Sequence, residues 1–201
     1  MNAAETLERL TKSLSKLPGV GRRSAHRMAF SLARDPGGRL AALLSALEDI
    51  RDHVRCCSLC SSLTRLDQDP CVLCSHPGRD DRLMCVVEDP GDILAIEESG
   101  GYHGRYHALM GRLSPMEGEG LGDMRLDSLI QRLSDSVTEE VILALNTDVE
   151  SDATASYLRD VLSEHGVKVS RLAFGLPAGS GIGYSDGVTL SRAFEGRQVV
   201  S

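Results

Sequence analysis

Four cysteines carry the most specific chemical signal in the chain, in the arrangement Cys57-x2-Cys60-x10-Cys71-x2-Cys74. Two CxxC pairs bring four thiolates together as two tight knuckles, the geometry that tetrahedral Zn²⁺ takes. The ligand set is closed, so zinc held here would be structural rather than catalytic. A segment this short and polar has too little core of its own, and the metal would supply its folding free energy. An iron–sulfur cluster and disulfides are the competing readings, the latter disfavoured in a reducing cytoplasm. Cys56 stands beside Cys57, but the x2 spacing to Cys60 selects Cys57. His53 and His76 flank the group as further candidate ligands, and Cys85, inside an apolar run, reads as a packed thiol.

The second signal is Leu17-Pro18-Gly19-Val20-Gly21-Arg22-Arg23-Ser24-Ala25-His26-Arg27. A helix, a two-glycine turn and a second helix describe a helix-hairpin-helix element. Gly19 and Gly21 let the backbone turn sharply and bring bare N–H groups close to a phosphate. The dipole of the second helix adds to that attraction. Arg23, Arg27 and Arg34 fall opposite the apolar stripe of this helix, joined by His26. Such a surface grips the nucleic-acid backbone without reading bases, so binding would be sequence-independent and salt-sensitive. An ordinary pair of helices with a solvated basic face is the alternative.

The third signal is a set of carboxylates at strand ends. Glu88 follows one apolar run and Asp92 lies a helical turn on, while Asp148, Glu150 and Asp152 follow another run. In open α/β sheets ligands gather beyond the carboxyl ends of strands. A convergent acidic set there could hold Mg²⁺ for phosphoryl transfer. Carboxylates at helix starts also simply cap the helix and offset its dipole, and spacing alone does not separate the two.

These groups need elements to position them. Leu7, Leu10, Leu14 and Leu17 mark a first helix. Ala25, Met28, Ala29, Leu32 and Ala33 mark a second that begins near Ser24. Leu40, Leu43, Leu44, Leu47, Ile50 and Val54 mark a third over Arg39–Arg55. After the cysteine block, Leu83–Val87 and Val141–Leu145 read as buried strands, with Tyr106–Met110 and Val167–Phe174 as further ones. Helices are expected at Ile93–Glu98, 125–135, Asp152–His165 and Thr189–Phe194. Residues 99–124 read as loop, with Gly100, Gly101, Gly104, Gly111, Gly118, Gly120 and Gly122. Strands alternating with helices predict a parallel α/β sheet behind a small helical head. The fold class is therefore multidomain α plus α/β. The expected divisions are 1–55 helix-hairpin-helix, 56–78 four-cysteine finger, 79–175 α/β domain and 176–201 C-terminal extension.

Composition narrows the function classes. The 201 residues are 41% hydrophobic and 25% charged, which is the composition of a globular chain rather than a disordered or fibrous one. No apolar run is long enough for a membrane span. The start MNAAETLERL has no apolar core of a secretory signal, so the expected address is the cytoplasm. The net charge of −7 opposes unaided nucleic-acid binding. It is unevenly spread, however: residues 1–60 carry +4 and residues 61–201 carry −11. A basic head on an acidic body suits a nucleic-acid contact confined to the head. No GxxxxGK[ST] loop is present, and with no Trp and 3% aromatic residues a stacking platform for single strands is not expected.

The order of parts is itself diagnostic. LPGVGRRSAHRMAF, the four-cysteine knuckle, VVEDPGDILAIE, GRYHALMGRLSPMEGEG, NTDVESDAT and GLPAGSGIGYSDGVTLSRAFEGR together resemble the RecR family of bacterial recombination mediators over nearly the whole chain. The resemblance implies a helix-hairpin-helix, a zinc finger, a Toprim domain and a C-terminal swapping segment. It implies ring-shaped homotetramers that encircle single- or double-stranded DNA in the nucleoid and act with RecO and RecF to load RecA at gaps and breaks. DNA-contacting positions of the family fall on Arg23 and Arg27, and its zinc ligands on Cys57, Cys60, Cys71 and Cys74. Its Toprim acidic positions fall on Glu88, Asp92, Glu150 and Asp152, tied to RecO contact and DNA binding rather than to turnover. The Asp-x-Asp of Toprim enzymes aligns with Asn146 and Asp148. Asn146 has lost the charge, while Asp148 stands where the family commonly has threonine and leaves room for weak Mg²⁺ binding. The expectation is a DNA-binding scaffold without turnover. Its rivals are a Mg²⁺-dependent nuclease or nicking enzyme at Glu88, Asp148, Glu150 and Asp152, and a zinc-stabilised interaction module with incidental DNA contact.

Overall fold

The structure is a computed structural model that describes residues 2–113, 124–173, 175–176, 179 and 181–197. The chain divides into two compact units, residues 1–55 with 65–67, and residues 56–64 with 68–201.

The first unit is helical: α1 (Ala3–Leu14), α2 (Arg22–Ala33), a π turn over Pro36–Leu40 and α3 (Ala41–His53). Asn2 and Glu5 form a capping box that starts α1. Asp35 accepts from the Gly38 and Arg39 amides and so starts the π turn, which takes the first residues of the expected third helix. The second helix begins two residues before Ser24, with Gly21 as its N-cap in an extended conformation. Ala25 and Ala29 are its fully buried positions. Met28, the stripe's largest member, stays exposed, as does Leu17. All of α3 lies at the surface, its apolar stripe included. A unit of three helices has too little interior to cover every stripe that its sequence writes.

The second unit is built on a parallel sheet of order β4-β3-β5-β6, with β3 Asp80–Val87, β4 Gly104–Ala108, β5 Glu140–Leu143 and β6 Lys168–Arg171. In the central ladder Cys85 stands level with Tyr106 on one side and Ile142 on the other. Helices α5 (Pro90–Ser99), α6 (Leu126–Ser134) and α7 (Val149–Ser163) alternate with the strands, and α8 (Gly187–Glu195) follows. A short ribbon of β1 (Val54–Cys56) and β2 (Leu63–Arg65) and the single turn α4 (Val72–Ser75) complete the elements, none of them expected from periodicity. Gly118, Gly120, Gly122 and Phe174 lie outside the described residues.

Alternation along β3 sends its side chains into two cores. Met84 and Val86 meet Leu129 and Leu133 of α6 and Leu158 and Leu162 of α7. Cys85 and Val87 meet Ile93 of α5, Tyr106, and the cysteines Cys57, Cys60 and Cys71. Each such side chain fully buried contributes roughly 1.5–3 kcal/mol, and both faces are covered, as a parallel strand requires. The expected strand and the packed thiol of Cys85 are both present; burial pushes that thiol up to about 12.

His107 of β4 is fully buried and its Nε2 donates to the Arg125 carbonyl at 3.1 Å. Burial lowers its pKa to about 4. The native ring is neutral where an unfolded one would take a proton, so stability is lost as pH falls from the unfolded value near 6.5 toward the folded one. Urea unfolding at pH 7 and pH 5 should show about 2 kcal/mol of this loss, and His107→Gln should remove that share while keeping a donor.

Candidate functional site

The turn between α1 and α2 is built by Leu17-Pro18-Gly19-Val20. The Val20 amide donates to the Leu17 carbonyl at 3.1 Å, and Gly19 has φ +74°. Proline followed by a positive φ is the type II pattern, and glycine is the residue that adopts it without strain. A side chain added at Gly19 or Gly21 would meet nothing within 4 Å, so both face open space. No side chain caps α2, which leaves its first amides directed at solvent beside Arg22 and Arg23. Arg23, Arg27 and Arg34 are exposed along one side of α2, as their spacing predicts. His26 and Phe30 pack with ring centroids 4.7 Å apart. Between α1 and α2 lies a groove of about 940 Å³ whose lining includes Leu7, Thr11, Lys12, Arg23, Arg27 and Phe30.

The cysteine segment lies on the face of the sheet that also carries α5. The sulfurs of Cys57, Cys60, Cys71 and Cys74 all lie within 4.8 Å of one another, and Cys60 and Cys71 approach to 3.5 Å. Tetrahedral zinc with bonds of about 2.3 Å places its sulfurs about 3.8 Å apart, so this donor set fits such an ion. Main-chain amides already serve the sulfurs, Ser62 N–H to Cys60 at 3.4 Å and Cys71 N–H to Cys57 at 3.3 Å. Hydrogen bonds with Cys71 and Cys74 push Cys60 far up, and the bond with Cys60 pulls Cys71 far down. The flanking candidates stand apart from this set: His53 turns back to the Asp49 carbonyl and His76 accepts from the Gly78 amide. Cys56 is exposed and outside it.

The carboxylates do not gather in the same way. Among the described residues the four cysteines are the one group of three or more Cys, His, Asp or Glu close enough to share an ion. Glu88 is buried at the end of β3, where Asn146 donates to it from Nδ2 at 2.6 Å and from its amide at 3.3 Å. Asp92 closes a capping box with Asp89 at the start of α5, and burial raises its pKa. Asp148 is the N-cap of α7, held below the usual carboxylate range first by the Ser151 amide. Arg112 pairs with both Asp148 and Glu150 at 2.9 Å. Asp152 is shared by Arg171 at 2.8 Å and by Arg192 of α8 at 2.9 Å. Capping and internal ion pairing thus account for residues whose spacing also allowed a metal cluster. Arg112, Arg171 and Arg192 have no local sequence signal, because each meets its carboxylate only through the tertiary fold.

Comparison with known proteins places these parts in one family. Residues 7–51 match the family model "RecR, helix-hairpin-helix", residues 82–173 "Toprim domain", and residues 175–198 "RecR, C-terminal". The recombination protein RecR of Heliobacterium modesticaldum is 47% identical over 195 residues, 97% of each chain, and that of Acidobacterium capsulatum matches to the same extent. The chain belongs to the RecR family. The RecR of Anaeromyxobacter dehalogenans is 44% identical over 198 residues, 98% of this chain and 99% of the relative. The fold agrees part by part: a helix-hairpin-helix, a close group of four cysteines able to bind a metal ion, and a Toprim-type parallel sheet. No helix of the described residues is long and apolar enough to cross a membrane.

The arginine pairs on Asp152 tie α8 to α7 in this RecR-family chain. Asp152→Asn keeps the shape and removes the charge both arginines share. Because the pairs are partly exposed, the expected cost is about 1 kcal/mol. Hydrogen exchange should rise within Gly187–Glu195. Exchange there that matches the wild type would assign the seating of α8 to its other contacts.

Proposed function

We propose that this protein is a DNA-binding mediator of recombinational repair that turns nothing over. The observation that carries the reading is the pairing of an open glycine hairpin with an uncapped, arginine-lined helix start in a member of the RecR family. Gly19 and Gly21 present bare backbone, and Arg23 and Arg27 supply charge to the phosphates of single- or double-stranded DNA without selecting bases. Cys57, Cys60, Cys71 and Cys74 hold a structural zinc ion, which supplies folding free energy when bound. Glu88, Asp92, Asp148, Glu150 and Asp152 serve contact with the partner proteins RecO and RecF during RecA loading, rather than catalysis. The internal partners of these carboxylates support that assignment: an ion would have to displace Asn146 from Glu88 and Arg112 from Asp148 and Glu150. Mg²⁺ binding is accordingly weak.

The working form is a homotetrameric ring in the cytoplasm. Leu44, Leu47 and Ile50 on α3 are each more than half exposed, and a helix with such a stripe gains stability by burying it. A second copy of the chain is the occupant that a closed ring provides, with residues 176–201 as the exchanged segment. Leu47→Asp places a charge on that stripe and should lower the assembled mass in size-exclusion chromatography with light scattering. An unchanged mass would remove α3 from the interface.

One assay separates scaffold from enzyme. Gapped and supercoiled DNA are incubated with protein and Mg²⁺, and binding and strand integrity are read from the same tubes. Substrate recovered uncut is the expected result. Arg23→Ala with Arg27→Ala should weaken binding at least about tenfold and flatten its salt dependence by about two released counterions, with zinc content and circular dichroism unchanged. Cleavage lost on Glu88→Ala would instead make this chain a nuclease. DNA binding that survives loss of both arginines would leave a zinc-stabilised interaction module.

A further inference from the structure

Two arginines at α6 reach the two cysteine knuckles, one each. Arg125, just before the helix, donates from Nη2 to the Ser58 carbonyl at 2.9 Å and from Nη1 to Ser61 Oγ, both in the first knuckle. Arg132 lies two turns further along the helix. It donates from Nη2 to Cys74 Sγ at 3.9 Å in the second knuckle, and from Nη1 to the Tyr106 carbonyl on β4. Arg105, from β4 itself, adds bonds of 2.8 Å to the Leu73 and Cys74 carbonyls. The main chain follows the same route: the Ala108 amide donates to the Cys60 carbonyl at 2.9 Å, and the Arg125 amide to the Leu109 carbonyl at 2.8 Å.

β4 is an edge strand of the sheet, and an open edge needs cover. Here the first knuckle supplies it, since the Ala108 amide has Cys60 as its acceptor. Four thiolates around a divalent cation also carry a net negative charge, which is costly in a buried setting without a counter-charge. Arg132 stands at the right place to offset it.

We propose that Arg125 and Arg132 are positioning residues that make the bound metal a tie across the sheet edge. The metal joins knuckle to knuckle, and the arginines join each knuckle to α6 and β4. Metal occupancy therefore sets how firmly β4 is held. This rests on the four cysteines being a zinc site. It goes beyond that assignment by giving the metal an effect outside its own loop, on the strand that leads to Arg112 and the acidic end of the sheet.

The test uses the full chain, with zinc content measured first by atomic emission. Zinc release to a chromogenic chelator is then timed for wild type, Arg125→Met, Arg132→Met and Arg132→Lys, with Arg159→Met as a surface control. Losing an outer partner of a metal ligand typically weakens retention by about 10–100-fold, so each Met variant should release zinc at least about tenfold faster at unchanged stoichiometry. Lysine keeps the charge without the two-pronged reach, and should fall between. In parallel, hydrogen exchange is compared for zinc-loaded and chelator-stripped wild type. Stripping should raise exchange at residues 105–108 as well as within 57–75, and this readout stands even where a Met variant fails to fold. Release within twofold of wild type for both Met variants, or stripped protein whose exchange rises only within 57–75, would overturn the proposal. Wild type that carries no zinc would overturn the zinc assignment itself, whereas full zinc with unchanged release defeats only the arginine tie.

Discussion

Burial of β3 on both faces is the constraint on which the second unit depends. A strand whose consecutive residues Met84, Cys85, Val86 and Val87 are all buried needs a layer on each side of the sheet. α6 and α7 form one layer, and α5 with the cysteine knuckles forms the other. The knuckles are therefore part of the sheet's packing rather than an appendage, and Cys57, Cys60 and Cys71 count among its core side chains. The same strand delivers Glu88 to its carboxyl end already buried, where its charge needs a donor and finds Asn146. An amide at that point donates to Glu88, where a second carboxylate would repel it.

Arginine does most of the electrostatic work in this unit, beside the Lys168–Glu140 pair. Arg112, Arg171 and Arg192 answer the carboxylates beyond β5, while Arg105, Arg125 and Arg132 hold the cysteine segment against the sheet. The planar guanidinium suits both tasks, because it can satisfy two acceptors at once in a fixed geometry. A lysine would offer a point charge and lose the bridging. The acidic excess of residues 61–201 is in this way partly spoken for within the chain, while Arg23 and Arg27 on α2 are exposed.

The head obeys a different economy of surface. Its helices pack on small residues, Ala25 and Ala29, and leave Phe30 and the α3 stripe exposed. The Gly19 turn joins α1 to α2 and leaves Arg23 in the first turn of α2. The large apolar side chains are then left facing outward. They form an exposed apolar surface on this unit.

Local spacing wrote much of this protein plainly. The hairpin glycines, the CxxC pairs and the apolar runs of β3 and β5 each draw their meaning from neighbours within a few positions, and each is present in the fold. Boundaries moved at Gly21, whose extended backbone starts α2 ahead of Ser24 without a side-chain cap, and at Asp35, whose capping bonds convert the start of the third helix into a π turn. The acidic residues were legible as strand-end carboxylates but not as bonded ones, because spacing reports position and not partners. Which stripe is buried and which carboxylate is neutralised were left to tertiary structure. Arg192 and Asp152 are 40 positions apart, and Arg125 and Ser58 are 67 apart. No periodicity reaches that far; only the stacking of α6, α7 and α8 about a sheet brings such pairs within a hydrogen bond.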